Sequence, residues 1–304
     1  MTAVRLFDKP IITPGLCPSL GTNINGSSLI KVPDWITDPL GRYYLYFAHH
    51  TGHYIRLAYA DTFEGPWRIH EPGTLRLEQA PYLRQAPGGH IASPDVHIDH
   101  AAKQIVMYHH GLIPKDTPRD PTVTEEQGTY AAVSHDGLTF CPVGGLLGNF
   151  YWRVFPWDGY HYAIEMSGRV RRSRDGLTGF EAGPVLKRDW VTRHMAVLRD
   201  GATLYVFFSI KGDCPERIVV STIDLSKDWF EWRESPHTVL LEPERDYEGG
   251  HLPLVPSQNG LAADPVRQLR DPAIYQEDGK TYLLYSIAGE SGIAMARIKH
   301  NINR

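Results

Sequence analysis

Along this chain short apolar stretches alternate with polar turns, and helix-period patterns are nearly absent. One phrase comes back five times: a short apolar strand, a turn, a Tyr-rich strand, and a third strand ending in small residues. The second strands read 43–47 (YYLYF), 104–108 (QIVMY), 160–164 (YHYAI), 203–208 (TLYVFF) and 281–285 (TYLLY). Two turns agree almost letter for letter, Ser134-His135-Asp136-Gly137-Leu138-Thr139 and Ser173-Arg174-Asp175-Gly176-Leu177-Thr178. A period of about 40–50 residues with several strands in each is the signature of a propeller. The pattern therefore predicts an all-β fold, a five-bladed β-propeller in a single domain. Its blades fall at roughly 23–75, 90–145, 148–185, 190–240 and 266–298. An N-terminal strand near 4–14 closes the ring, because an open sheet edge invites aggregation.

Composition narrows the picture. The 28 Gly and 23 Pro suit many tight turns. The polar stretch from Ile113 to Gln127 is too hydrophilic for a core and reads as a rim loop in the second blade. With 31 basic and 35 acidic side chains the net charge is −4, which argues against nucleic acid or an acidic membrane as the main partner. No stretch reaches the roughly 18 apolar residues of a membrane span. The three cysteines, Cys17, Cys141 and Cys214, lack paired spacing and read as thiols of a reducing compartment. With no apolar signal core at the N-terminus, the expected location is the cytoplasm. Nothing in the sequence marks an oligomer interface.

A propeller gathers the first strand of each blade around one axis, so the residues opening those strands are the candidates for chemistry. They are Asn23 and Asn25, Asp95, Tyr151 and Trp152, Arg193 and His194, and Arg270 and Asp271. Carboxylates, amides, a histidine and arginines with aromatic walls suit a carbohydrate. Glycosidic cleavage needs two carboxyl groups, one giving a proton and one acting as base or nucleophile. Burial and crowding split their pKa values. Asp95 follows Pro94 and Asp271 precedes Pro272, so each could simply cap a turn; their matching blade positions favour a shared pocket role. For the acid, Glu165 lies in an apolar strand, Glu248 in a glycine-bearing loop, and Glu290 is a third choice. The plainer readings are a Glu165 paired with Arg169, Arg171 or Arg172, and an exposed loop Glu248. His49-His50 with His53, and His109-His110, end second strands. Adjacent strand residues point to opposite faces, so these histidines read as pocket lining, with His49 and His110 on substrate, and no metal or other cofactor is expected.

The motif Ser93-Pro94-Asp95-Val96-His97-Ile98 resembles the second-blade motif of five-bladed glycosidases of the family 43 type. Arg270-Asp271-Pro272-Ala273-Ile274 resembles the Arg-Asp-Pro strand openings of the same wider group, which includes families 32, 117 and 130. The resemblance implies a glycoside hydrolase acting on a terminal bond of a small oligosaccharide or glycoside, mostly by inversion. It gives Asp95 an orienting, pKa-modulating role. The chain departs from the pattern twice: blade I carries Asn23-Ile24-Asn25-Gly26 in place of an Asp, and blade III opens at 149–153 (NFYWR) without a Glu. Asp271 then stands in as base, with Glu165 as the favoured acid and Glu248 behind it. By likeness to family 117, His194 is another acid. Asn25, His49, His110, Tyr151, Trp152, Arg193, His194 and Arg270 hold the sugar. A sugar-binding propeller without catalysis, or a glycoside phosphorylase using Arg153, Arg193 and Arg270, are the rival readings.

Overall fold

A computed structural model describes residues 1–299 other than 84, 86 and 87. The fold is a five-bladed β-propeller of five four-stranded antiparallel sheets. Blade I runs through β2 (Asn25–Lys31), β3 (Tyr43–Ala48), β4 (Tyr54–Ala60) and β5 (Arg68–Arg76), after the N-terminal β1 (Thr2–Arg5). Blade II is β6 (Ala92–Asp99), β7 (Gln104–Leu112), β8 (Gln127–Ser134) and β9 (Cys141–Asn149). Blade III is β10 (Trp152–Trp157), β11 (Tyr160–Glu165), β12 (Arg169–Ser173) and β13 (Glu181–Val185). Blade IV is β14 (Thr192–Asp200), β15 (Thr203–Ile210), β16 (Ile218–Asp224) and β17 (Thr238–Leu241). Blade V joins β18 (Arg270–Glu277), β19 (Lys280–Ser286) and β20 (Ile293–Lys299) to β1, in the order β18-β19-β20-β1.

The chain divides into two compact units, Ser28–Leu186 and Met1–Ser27 with the chain from Lys187 on. In the first unit the tyrosines of the second strands join neighbouring blades. Tyr46 donates to the Gly137 carbonyl at 2.8 Å, and Tyr108 to the Gly176 carbonyl at 2.6 Å. Those glycines sit at φ 74° and 73° in the two look-alike turns, where Asp136 and Asp175 accept from the amides of 138–139 and 177–178. So the repeated turn is an Asx turn whose glycine carbonyl receives the previous blade's tyrosine. Between the blades, Tyr44, Leu57, Val96, Ile105 and Phe140 form one apolar layer, and Val106, Tyr108, Trp152, Val154 and Ala163 another.

In the second unit Ala196, Leu198, Phe207, Leu283, Tyr285 and Ala296 fill the equivalent layer. The N-terminal strand pairs Thr2 with Lys299 through Arg5 with Ala296, earlier than the expected 4–14, and isolated bridges from Ile12 to Ile293 and Ile24 to Ser291 follow. It covers the outer edge of blade V, the edge that would otherwise be unpaired.

Candidate active site

Four blades open their first strand with one device. Gly26, Ser93, Tyr151 and Asp271 all take left-handed backbone, with φ of 62°, 49°, 58° and 48°. The ladder slips at this place in blades II, IV and V, between Ala92 and Asp95, Thr192 and Met195, and Arg270 and Ala273. Each slip is a bulge that re-aims side chains at the strand start. The correspondence corrects one expectation: Asp271 matches Ser93, and Asp95 matches Ala273, so the two aspartates do not share a position.

In the Ser28–Leu186 unit, Asp95 works between blades. Its Oδ2 accepts from the Val154 amide at 2.9 Å, as Ser28 Oγ accepts from the Val96 amide at 3.0 Å one blade earlier. His97, two residues on and so on the same strand face, brings Nε2 to 2.9 Å from Asp95 Oδ2, and Arg153 Nε lies 4.0 Å from Oδ1. Burial is the largest influence on this carboxyl and pushes it up; His97, Arg153 and the Val154 amide together outweigh it, leaving it below the ordinary carboxylate value. His97 was not among the sequence candidates, although the two-residue spacing from Asp95 carried the signal. Arg153 donates to the Tyr151 hydroxyl at 2.7 Å with its guanidinium 4.3 Å from that ring, and Tyr151 is fully buried. His110 is buried in β7, 5.9 Å from the Tyr151 ring; burial first, then neighbouring histidines and Arg153, hold it well below 6.5, so it is a neutral imidazole.

In the other unit, His194 Nδ1 and Asp271 Oδ1 meet directly, and Ser286 Oγ donates to Asp271 Oδ2 at 2.9 Å. Asp271 is 1% exposed, while the His194 side chain keeps 12% of its surface open to solvent. The residues preceding this pair, Arg193 and Arg270, are buried and engaged in ion pairs. Arg193 Nε donates to Glu216 Oε1 at 2.7 Å, and its Nη2 to the Gln258 carbonyl. Arg270 lies on Glu216 at 3.1 Å and on Glu290 at 2.9 Å. Glu290 Oε2 in turn accepts from Asn23 at 2.6 Å and Asn25 at 3.0 Å. Glu216 went unnoticed in the sequence because it lies in the irregular turn Cys214-Pro215-Glu216-Arg217, with no motif around it.

The remaining candidates lie elsewhere. Glu165, fully buried, pairs with Arg171 Nε at 2.5 Å and accepts from Asn149 and Ser167, the ion-paired alternative. That site anchors the 113–127 insert, since Arg171 reaches Thr122 and Asn149 accepts from Thr124 and Glu125. Glu248 is fully buried where an exposed loop residue was the plainer expectation. It accepts from Arg5 at 2.7 and 2.8 Å and from Tyr285 at 2.9 Å. Burial raises it most, but Arg5 and the amides of 244 and 245 carry it below its ordinary value. Trp152 is core, packed edge-on against Phe180 at 4.6 Å. His49 Nδ1 accepts from the Thr51 amide and closes the turn after β3. Among the described residues no three His, Cys, Asp or Glu side chains converge to hold a metal, and no helix is long and apolar enough to cross a membrane.

No protein-family model matches the chain. The uncharacterized protein R118 of Acanthamoeba polyphaga mimivirus is 37% identical over 309 aligned positions, which take in 91% of this chain and 83% of that protein. The chain belongs to that protein's family. Among solved structures, the family 43 β-xylosidase/α-arabinofuranosidase from a compost microbial metagenome matches with a TM-score of 0.62 at 13% identity, over 99% of this chain and 97% of that one. An exo-1,5-α-L-arabinanase from a bovine ruminal metagenomic library gives 0.61 at 11%, over 92% and 95%. A family 43 enzyme of Xanthomonas citri gives 0.62 at 14%, over 99% and 93%. At these identities the likeness is one of fold: the R118 family member has the five-bladed propeller of family 43 glycoside hydrolases.

Proposed function

We propose that the protein is a glycoside hydrolase cleaving a terminal glycosidic bond of a small oligosaccharide or glycoside. The observation that carries this reading is the His194–Asp271 pair at the openings of β14 and β18, in a chain with the fold of family 43 glycosidases. A carboxylate on Nδ1 fixes the imidazole tautomer and leaves Nε2 to take or give a proton. Ser286 pins the second carboxylate oxygen, so the pair has one arrangement. The acid role expected of Glu165 passes to His194, because Glu165 is fully buried with its carboxylate engaged by Arg171, Asn149 and Ser167. Asp271 also sits in left-handed backbone ahead of a proline, a placement that costs on the order of 1–3 kcal/mol and concentrates at functional sites.

A second reading, a sugar-binding propeller without turnover, is favoured by one observation. Glu165, Glu216, Glu248 and Glu290 each sit on an arginine. A panel of nitrophenyl arabinofuranosides, xylosides and galactofuranosides, with wild type beside Asp271→Asn and His194→Gln, separates the two. Turnover that falls by about 10³-fold, roughly 4 kcal/mol, in both variants supports the hydrolase. Turnover that both variants retain removes the pair from the chemistry. No turnover on any glycoside, with xylo- or arabino-oligosaccharides binding in calorimetry, establishes the second reading instead.

A further inference from the structure

His194 and Asp271 lie where the ladder gives no guidance. In β14 the register passes from Thr192–Ile210 straight to Met195–Phe208, and in β18 from Arg270–Ser286 to Ala273–Leu284. Within a bulge the backbone pairing that fixes the phase of side chains is interrupted, so the phase must be set by something else. The residue before each member of the pair is an arginine, and both arginines end on one carboxylate. Glu216 Oε1 accepts from Arg193 at 2.7 Å and from Ser209 at 2.6 Å, and Oε2 lies 3.1 Å from Arg270 Nε. Glu216 is fully buried, and the two arginines are at most 3% exposed. A buried guanidinium without a carboxylate is costly, so Arg193 cannot leave Glu216 without a large penalty, while Arg270 is held between Glu216 and Glu290. Residues 193 and 194, and 270 and 271, are covalent neighbours, so holding each arginine restricts the bulged backbone that carries the next side chain.

We propose that Glu216 is a positioning residue: it ties the bulges of β14 and β18 together in the one phase at which His194 Nδ1 meets Asp271. Arg193 also grips the carbonyls of Gln258 and Gly260, and Arg270 that of Gly260. The 257–262 loop is thereby fixed over the same two arginines. This inference rests on the proposed proton-transfer pair, and the experiment tells their failures apart.

The experiment follows the low-field ring N–H resonance of His194 by ¹H–¹⁵N NMR, assigned through its loss in His194→Gln. In the wild type the resonance is present, and without it the pair itself is wrong. In Glu216→Gln, which keeps the shape and drops the charge, the resonance broadens or disappears. With the best glycoside kcat falls about 10²-fold, as for a reacting group displaced by about 1 Å, while KM changes little. A folded Glu216→Gln that keeps both resonance and kcat overturns the inference and leaves the pair standing. Should Glu216→Gln fail to fold, Ser209→Ala removes one hydrogen bond to the same carboxylate without touching any charge. It is expected to cost about 5-fold in kcat with a weakened resonance, in keeping with one net hydrogen bond. An unchanged resonance and kcat in that variant overturn the inference too.

Discussion

Blade II and blade V each open with an aspartate beside a proline, and the two carboxylates live in opposite circumstances. In blade II the proline comes first: Ser93 takes the left-handed conformation, and Asp95 rejoins the ladder opposite Tyr108. In blade V the aspartate itself is left-handed, and Ala273 rejoins the ladder opposite Leu284. Two residues of offset decide everything else. Asp95 points along the seam between blades, accepts the Val154 amide and repeats the role of Ser28. Asp271 is turned out of the ladder, against His194 and Ser286. Asp tolerates left-handed backbone better than most residues because its short side chain can bond locally. The lesson is that in a bulged strand function follows distance from the bulge, and the neighbouring motif letters are a poor guide to that distance.

The sharpest way to break the comparison is to neutralise each carboxylate in turn. Asp271→Asn is expected to lose about 10³-fold in turnover on a nitrophenyl glycoside, whereas Asp95→Asn keeps at least about a tenth of wild-type turnover. Equal losses in both variants would mean that the offset has no functional meaning.

Next in size is the effect on stability. Ser28→Ala and Asp95→Ala each strand a strand amide, that of Val96 or Val154, among buried neighbours. An unsatisfied buried donor costs about 1–3 kcal/mol, so both variants should lower the urea midpoint without changing the slope, Asp95→Ala by more because it also takes the carboxylate from His97 and Arg153. Asp95→Asn should lose less than either, because an amide oxygen still accepts from Val154. A Ser28→Ala protein as stable as wild type would refute the shared inter-blade role.

Much of the architecture was legible because it rests on residues whose chemistry is local. The Tyr-rich second strands and the Asp-Gly turns announce themselves in sequence, and the structure shows why they recur together: Tyr46 and Tyr108 donate to the turn glycines. The fourth strands were not legible. Arg68–Arg76 and Glu181–Val185 mix buried with exposed positions, carry Pro and Gly, and show no regular apolar alternation to betray a strand. At the candidate site, His194 and Asp271 were singled out in sequence by their place at strand openings; their contact depends on two bulges that no local pattern records. Arg193 and Arg270 looked like sugar ligands because nothing in the sequence connects them with Glu216. Glu165 shows the converse: its strand neighbours suggested a desolvated acid, yet the arginine six residues away pairs with it. Burial can be read from neighbours in sequence, whereas the partner of a buried charge is fixed by tertiary register.

The smallest expected effect concerns acid. Asp95 lies below its ordinary value of 3.8 because His97, Arg153 and the Val154 amide together outweigh the burial that alone would raise it. A carboxyl depressed on folding contributes stability that is fully present above its unfolded value and is lost as pH falls through the folded one. Wild type should therefore exceed Asp95→Asn in stability at neutral pH by a margin that holds down to about pH 4 and shrinks below it. Urea midpoints for the two proteins between pH 7 and pH 2.5 measure that margin. If it stays constant to the lowest pH, the ionised form of Asp95 gains nothing from folding, and its partners hold it as hydrogen-bond donors alone. If it closes on acidification, the charge is part of the strut, and blade II spends its aspartate on cohesion where blade V directs its own at a histidine.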